Sequence, residues 1–187
     1  MKKISIFVSG TGTNAEHIVK HFAGSTSVAV GSVICNRRHA PVIERLRPLG
    51  IEVQVFGREE WLHPINVTRL LQDSGVDLIV LAGFLAIVRE PLLSAFEGRI
   101  LNIHPSLLPK FGGPGYWGGN VHEAVIAAGE RKSGITIHQV SAEVDCGAIV
   151  AQYRCPVLPG DTPATLEARV HGLEYLYYPQ VIEQALR

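Results

Sequence analysis

Short, mostly apolar runs alternate with stretches of helical period through the first half of the chain. Ile4 to Val8 ends in Ser9-Gly10 and predicts a buried strand. A helical pattern follows from Asn14 to Phe22, then a second strand from Val28 to Cys35. His39 to Leu49 reads as a helix, with Pro41 near its start and Gly50 just past its end. Ile51 to Phe56 is a third strand, Pro64 to Ser74 a helix closed by Gly75, Leu78 to Ala82 a fourth strand and Arg99 to Ile103 a fifth. Strands separated by helices of this length predict βαβ units and a parallel sheet.

The second half has a different pattern. Lys110 to Asn120 holds five glycines and one proline and reads as a loop. Val121 to Ala128 is a helix. Ile135 to Val140 and Ala148 to Tyr153 are strands joined by a short acidic connection, which suits antiparallel pairing better than a crossover. The last helix starts near Thr162-Pro163, with an apolar stripe of Leu166, Val170, Leu173, Tyr177 and Val181. The expected architecture is α/β: one Rossmann-like three-layer domain over 1–187, mainly parallel, with an antiparallel C-terminal extension.

The composition narrows the function. Seventeen Lys and Arg balance seventeen Asp and Glu in 187 residues, and a nucleic-acid binder would carry a basic excess. Cys35, Cys146 and Cys155 have no paired spacing, which suits a reducing compartment. The apolar stretch Leu78 to Val88 is broken by Gly83 and is too short to span a bilayer, and MKKISIFVSG is too short for a signal peptide. The expectation is a soluble cytoplasmic protein with small-molecule partners, no nucleic acid and no membrane.

Two places carry candidate chemistry. Ser9-Gly10-Thr11-Gly12-Thr13-Asn14 leaves strand one and opens helix one, where unsatisfied N–H groups and the helix dipole favour an anion. A phosphate monoester is the natural guest. Gly10 to Ala15 also fits GxGxxA, so an NADP reading stands beside it, with Arg37 and Arg38 at the end of strand two to take a 2′-phosphate. A plain tight turn is the third reading.

Asn102 and His104 lie two apart at the carboxyl end of strand five, so their side chains share a face, and Pro105 holds His104 extended. An amide beside an imidazole can stabilise a developing oxyanion. His104 could equally cap a helix, and Asp145 in EVDCG could be ordinary turn chemistry. Should they meet, the carboxylate would favour the charged imidazole. His63, His122 and His138 show no zinc-ligand spacing, and Ser106 lacks a nucleophile-elbow context.

Taken together, SGTGTN at 9–14, LAGFLAIV at 81–88, NIHPSLLPKF at 102–111, GITIH at 134–138 and Asp145-Cys146-Gly147 resemble the phosphoribosylglycinamide formyltransferases of the folate-dependent formyltransferase family. The resemblance runs from residue 3 to about 185. It implies the formyltransferase fold, formyl transfer from 10-formyltetrahydrofolate to glycinamide ribonucleotide in purine synthesis, and no metal. It implies Asn102, His104 and Asp145 as catalytic residues, and Gly12, Thr13 and Asn14 as holders of the substrate phosphate. His171, Gly172, Leu173 and Glu174 would reach the same substrate. Arg58, Leu85, Ala86, Ile87, Val88, Asn102, Ser141, Ala142, Glu143, Val144 and Asp145 would meet the folate. A homodimer is left open.

The chain departs from the family at three places. Ala86 stands where arginine is frequent, and Thr136 where serine is. The FGGPGYWGGN run is long and rich in glycine, which suggests an aromatic-tipped flap carrying Tyr116 and Trp117. A formyltetrahydrofolate hydrolase would share the three catalytic residues but usually carries an extra N-terminal domain. A methionyl-tRNA formyltransferase would need a further C-terminal domain and a basic surface.

Overall fold

The computed structural model describes residues 1–187. Seven strands, β1 (Lys2–Val8), β2 (Val28–Cys35), β3 (Val53–Val55), β4 (Leu78–Leu81), β5 (Ile100–His104), β6 (Lys132–Gln139) and β7 (Ile149–Pro156), form one sheet in the order β3-β2-β1-β4-β5-β6-β7. β1 pairs in parallel with β2 and β4, β2 in parallel with β3, and β6 antiparallel with β7. The α/β class and the antiparallel end are those expected from the hydrophobic pattern. By its contacts the chain divides into two compact units, Met1–Leu101 with Ile182–Arg187, and Asn102–Val181.

In the first unit β1 is buried from Ile4 to Val8, so it carries apolar residues on both faces, as a central parallel strand requires. Phe7, Trp61 and Phe84 meet edge to face with ring centroids 4.8–5.4 Å apart. α1 (Thr13–Phe22) buries Ala15, Ile18, Val19 and Phe22, one stripe of a 3.6-residue period.

The helix expected over 39–49 is shorter. α2 spans Val42–Leu46 and runs into a 3-10 turn, Arg47–Leu49, where Pro48 cannot donate to the α ladder and Gly50 takes the left-handed exit at φ 71°. Two short helices were not legible, α3 (Arg58–Leu62) and α5 (Leu92–Ala95). Each is little more than one turn and has no period to detect. α4 is Ile65–Asp73.

In the second unit Gly134 and Gly147 let backbones approach: a Cβ would lie 1.9 Å from the Tyr153 carbonyl oxygen at the first and 1.7 Å from that of Gln139 at the second. Thr136 Oγ1 donates to the Ser106 carbonyl (2.7 Å) and accepts from the Leu108 N–H (3.0 Å). This pins the segment after β5 to β6. Ser106 Oγ donates to the Lys110 carbonyl at 2.7 Å, so this buried hydroxyl serves the turn.

α6 spans Gly119–Ala127, beginning two residues before the expected start. α7 spans Pro163–Ala185. Thr162 accepts from the Thr165 N–H, and Arg169 makes a two-pronged pair with Asp161 at 2.6 and 2.9 Å. The buried face of α7 is not quite the expected stripe. Leu166, Val170, Tyr178 and Val181 are buried with Glu174, while Leu173 and Tyr177 lie half-exposed. The ring of Tyr177 instead stacks on Tyr153, with centroids 3.7 Å apart. The three cysteines are free thiols; Cys35 and Cys155 are buried and Cys146 is exposed. No helix is long and apolar enough to cross a membrane.

Candidate active site

Four side chains of the second unit converge at the end of β5. Asn102 Nδ2 is 3.0 Å from His138 Nε2. His138 Nε2 is 3.6 Å from Asp145 Oδ1, and His104 Nδ1 is 3.5 Å from Asp145 Oδ2. The extended geometry of β5 puts Asn102 and His104 on one face. β6 brings in His138, which sits at a bulge between Ile137 and His138. The loop between β6 and β7 brings in Asp145, at φ 57°. Aspartate tolerates this left-handed conformation better than most residues.

Hydrogen bonds orient each group. His138 Nδ1 donates to the Gln139 carbonyl at 2.9 Å, which leaves Nε2 to accept from the Asn102 amide. His138 is 2% exposed, so this arrangement holds Asn102 in place. His104 faces acceptors at both nitrogens, with Nε2 2.7 Å from the Phe111 carbonyl oxygen and Nδ1 facing Asp145.

Asp145 also accepts from the Gly113 N–H at 2.9 Å. Burial alone would raise its pKa, but the hydrogen bond from the Gly113 N–H and the facing His104 outweigh that and hold the carboxyl below its usual range. An amide, an imidazole and an ionised carboxylate side by side can stabilise a negative oxygen and take up a proton.

On α7, Glu174 is 4% exposed and its Oε2 lies 2.7 Å from His171 Nδ1. The hydrogen bond to Glu174 raises the His171 pKa against the opposing effect of burial. Gly172 is exposed and Leu173 half-exposed between them.

In the first unit the glycine loop turns into α1 at Gly12, whose φ is 73°. A Cβ there would lie 2.2 Å from Val42 Cγ2, so both conformation and space demand glycine. Thr13 and Asn14 open the helix, where main-chain N–H groups have no intrahelical partner. Also in this unit, the side chains of Leu85 and Ile87 are about half-exposed and Val88 is buried. The Leu85 N–H donates to Ser9 Oγ at 2.8 Å. Arg58 is exposed at the start of α3. In the other unit Ser141 Oγ donates to the Glu143 carbonyl at 2.9 Å, within an exposed segment that includes Ala142 and Val144. No three His, Cys, Asp or Glu side chains group as a metal cage.

The family model described as formyl transferase matches residues 2–182. The chain belongs to the formyl transferase family. It is 39% identical over 188 residues to a phosphoribosylglycinamide formyltransferase of Haemophilus influenzae, covering 98% of this chain and 86% of that protein. It is 41% identical to a chloroplastic phosphoribosylglycinamide formyltransferase of Arabidopsis thaliana, covering 97% of this chain and 64% of the relative. The chain thus spans less than two thirds of that plant protein's length. A crystal structure of phosphoribosylglycinamide formyltransferase from Streptococcus pneumoniae aligns over 100% of both chains, with a TM-score of 0.88 and 38% identity.

From the sequence His138 and His122 were weighed only as metal ligands, and Phe111 was given no role. His138 has the pattern of an ordinary strand residue, and only its pairing with Asn102 reveals it. Phe111 enters through its carbonyl, which no side-chain motif reports. His122, on α6, is 1% exposed with Nδ1 lacking a hydrogen-bond partner, and burial pushes its pKa down. The glycine-rich run holds Tyr116 and Trp117 exposed, with Tyr116 edge-on to Phe111 at 6.1 Å.

Proposed function

We propose that this chain transfers the formyl group of 10-formyltetrahydrofolate to the primary amine of glycinamide ribonucleotide. The observation that carries the reading is the pairing of His104 with Asp145 beside an amide held by His138. The names of the relatives and the full-length structural match support the choice of substrates. Residues 1–187 are read as one formyltransferase domain, because a single family match runs from residue 2 to 182.

The neutral amine attacks the formyl carbon. A C–N bond forms and the carbonyl oxygen becomes negative. The Asn102 amide and the His104 imidazolium donate to that oxygen, each contributing about 3 kcal/mol. The Phe111 carbonyl, now accepting from His104 Nε2, marks where such an oxygen is received and yields the position to it. The amine nitrogen then loses a proton, with Asp145 accepting it directly or through water. The C–N10 bond breaks and the folate nitrogen gains a proton, so the exchange balances.

Gly12, Thr13 and Asn14 hold the ribonucleotide phosphate, and His171 to Glu174 reach its amine-bearing arm. Leu85 to Val88, Ser141 to Asp145 and Arg58 serve the folate. Binding the distant phosphate fixes the amine for attack. No metal or redox cofactor is required, since neither electrons nor hydride move. Three free thiols suit the cytoplasm, and the only macromolecular partner proposed is a second copy of the chain.

The test is a formyl-transfer assay run with and without the ribonucleotide. Formylated product that depends on the ribonucleotide is expected. Free formate released without it would replace the reading with a formyltetrahydrofolate hydrolase.

A further inference from the structure

Arg45 is not one of the residues assigned to substrate, yet it grips the glycine loop. Its Nε donates to the Thr11 carbonyl oxygen at 2.7 Å, and its Nη1 lies 2.8 Å from Glu16 Oε2 on α1. One turn earlier on α2, the Val42 N–H donates to the Gly10 carbonyl at 3.2 Å. Two successive peptides of the loop therefore have their carbonyls anchored to α2.

A trans peptide is planar, with C=O and N–H pointing in opposite directions. Tying the Gly10 and Thr11 carbonyls to α2 turns the N–H groups of Thr11 and Gly12 the other way. Those amides then stand at the N-terminal end of α1, where the helix dipole favours an anion. Shortening the Val42 side chain leaves its main-chain donor in place. Replacing Arg45 removes its side-chain donor.

Glu16 completes the clamp. It pairs with Arg45 and, at 2.6 Å, with Lys20, and both hold its carboxyl below the usual range. The guanidinium is thereby neutralised locally and aimed at the carbonyl. Two fixed acceptors suit the planar fork of arginine better than a lysine ammonium.

We propose that Arg45 is a positioning residue for the phosphate: it orients the Thr11–Gly12 peptide so that the loop amides face the phosphate of the substrate, without touching the substrate itself. This rests on the reading of Gly12, Thr13 and Asn14 as the phosphate holders.

The test compares the wild type with Arg45→Ala and with Arg45→Met, which keeps the aliphatic stem and loses the donor. Steady-state kinetics give KM for the ribonucleotide and kcat. Calorimetry with ribose 5-phosphate measures the anion site apart from catalysis. Expected is a rise of about tenfold in KM and in the ribose 5-phosphate Kd, with kcat and the KM for the formyl donor unchanged. The defect should persist in about 1 M salt, where the screening length falls to about 3 Å.

Unchanged ribonucleotide KM and ribose 5-phosphate Kd in both variants would overturn the proposal. So would a defect that disappears in high salt, which would make Arg45 a source of charge attraction only. A loss of kcat with unaltered Kd, or a general loss of folding in Arg45→Met seen by thermal melting, would overturn it too. If the wild type binds ribose 5-phosphate in an Arg45-dependent way but formylates nothing, the assigned reaction fails and this role stands. If it formylates the ribonucleotide and neither variant differs, the reverse holds.

Discussion

The imidazole Nε2 of His104 donates to the main-chain carbonyl oxygen of Phe111 across 2.7 Å. Phe111 has φ 55°, a left-handed conformation that costs a bulky residue about 1 kcal/mol. The carbonyl therefore holds a functional donor from a strained position. In a complex with a folate analogue bearing a hydrated aldehyde, the analogue's oxygen should take the place of the Phe111 carbonyl at Nε2. A crystal structure of that complex checks this, and faster amide exchange over residues 110–120 on binding should accompany it. An unchanged contact to Phe111 in the complex would remove His104 from the oxyanion role.

Asp145→Asn should lower kcat by about a hundredfold while leaving the fold intact. The same carboxylate has a pH signature. Its folded pKa lies below the unfolded aspartate value of about 3.9, so its contribution to stability is present above that value. It is lost as the pH falls from there through the lower folded value. Urea titrations at a series of pH values should show the wild type ahead of Asp145→Asn at neutral pH and the gap closing in acid.

His171 titrates in the opposite sense. Its pKa is raised by the hydrogen bond to Glu174, so the pair stabilises the fold below the unfolded histidine value of about 6.5 and ceases to do so as pH climbs through the higher folded value. An NMR titration of the imidazole should give a midpoint above that of free histidine, and Glu174→Gln should bring it down. The same variant should raise KM for the ribonucleotide.

His138→Ala should reduce kcat about tenfold or more with little change in KM for either substrate. The Asn102 amide would lose the acceptor that aims it. Steady-state kinetics of the variant beside Asn102→Ala checks this. If the two residues act as one unit, the double variant is no worse than Asn102→Ala alone.

Much of this was legible in the chain because strong local signals coincide with the fold. The strand from Val28 to Cys35 and the start of the last helix at Pro163 fall where expected, since apolar runs and a Thr-Pro cap are read directly from residue types. What was missed depends on tertiary contact. The helices at Arg58–Leu62 and Leu92–Ala95 are too short to have a period. Glu174 was named through the resemblance alone, since the residue pattern does not show that the helix turns that side inward beyond Val170. His138 and the Phe111 carbonyl act only through partners distant in sequence or through the main chain.

The exposure of Cys146, with Cys35 and Cys155 buried, gives the molecule a built-in attachment point beside Asp145. Partial desolvation and the Glu143 carboxylate keep this thiol above the ordinary cysteine range, so maleimide chemistry should go faster in mildly alkaline buffer. A single fluorophore or spin label placed there would report on the β6–β7 loop in the unmutated protein, as each substrate arrives.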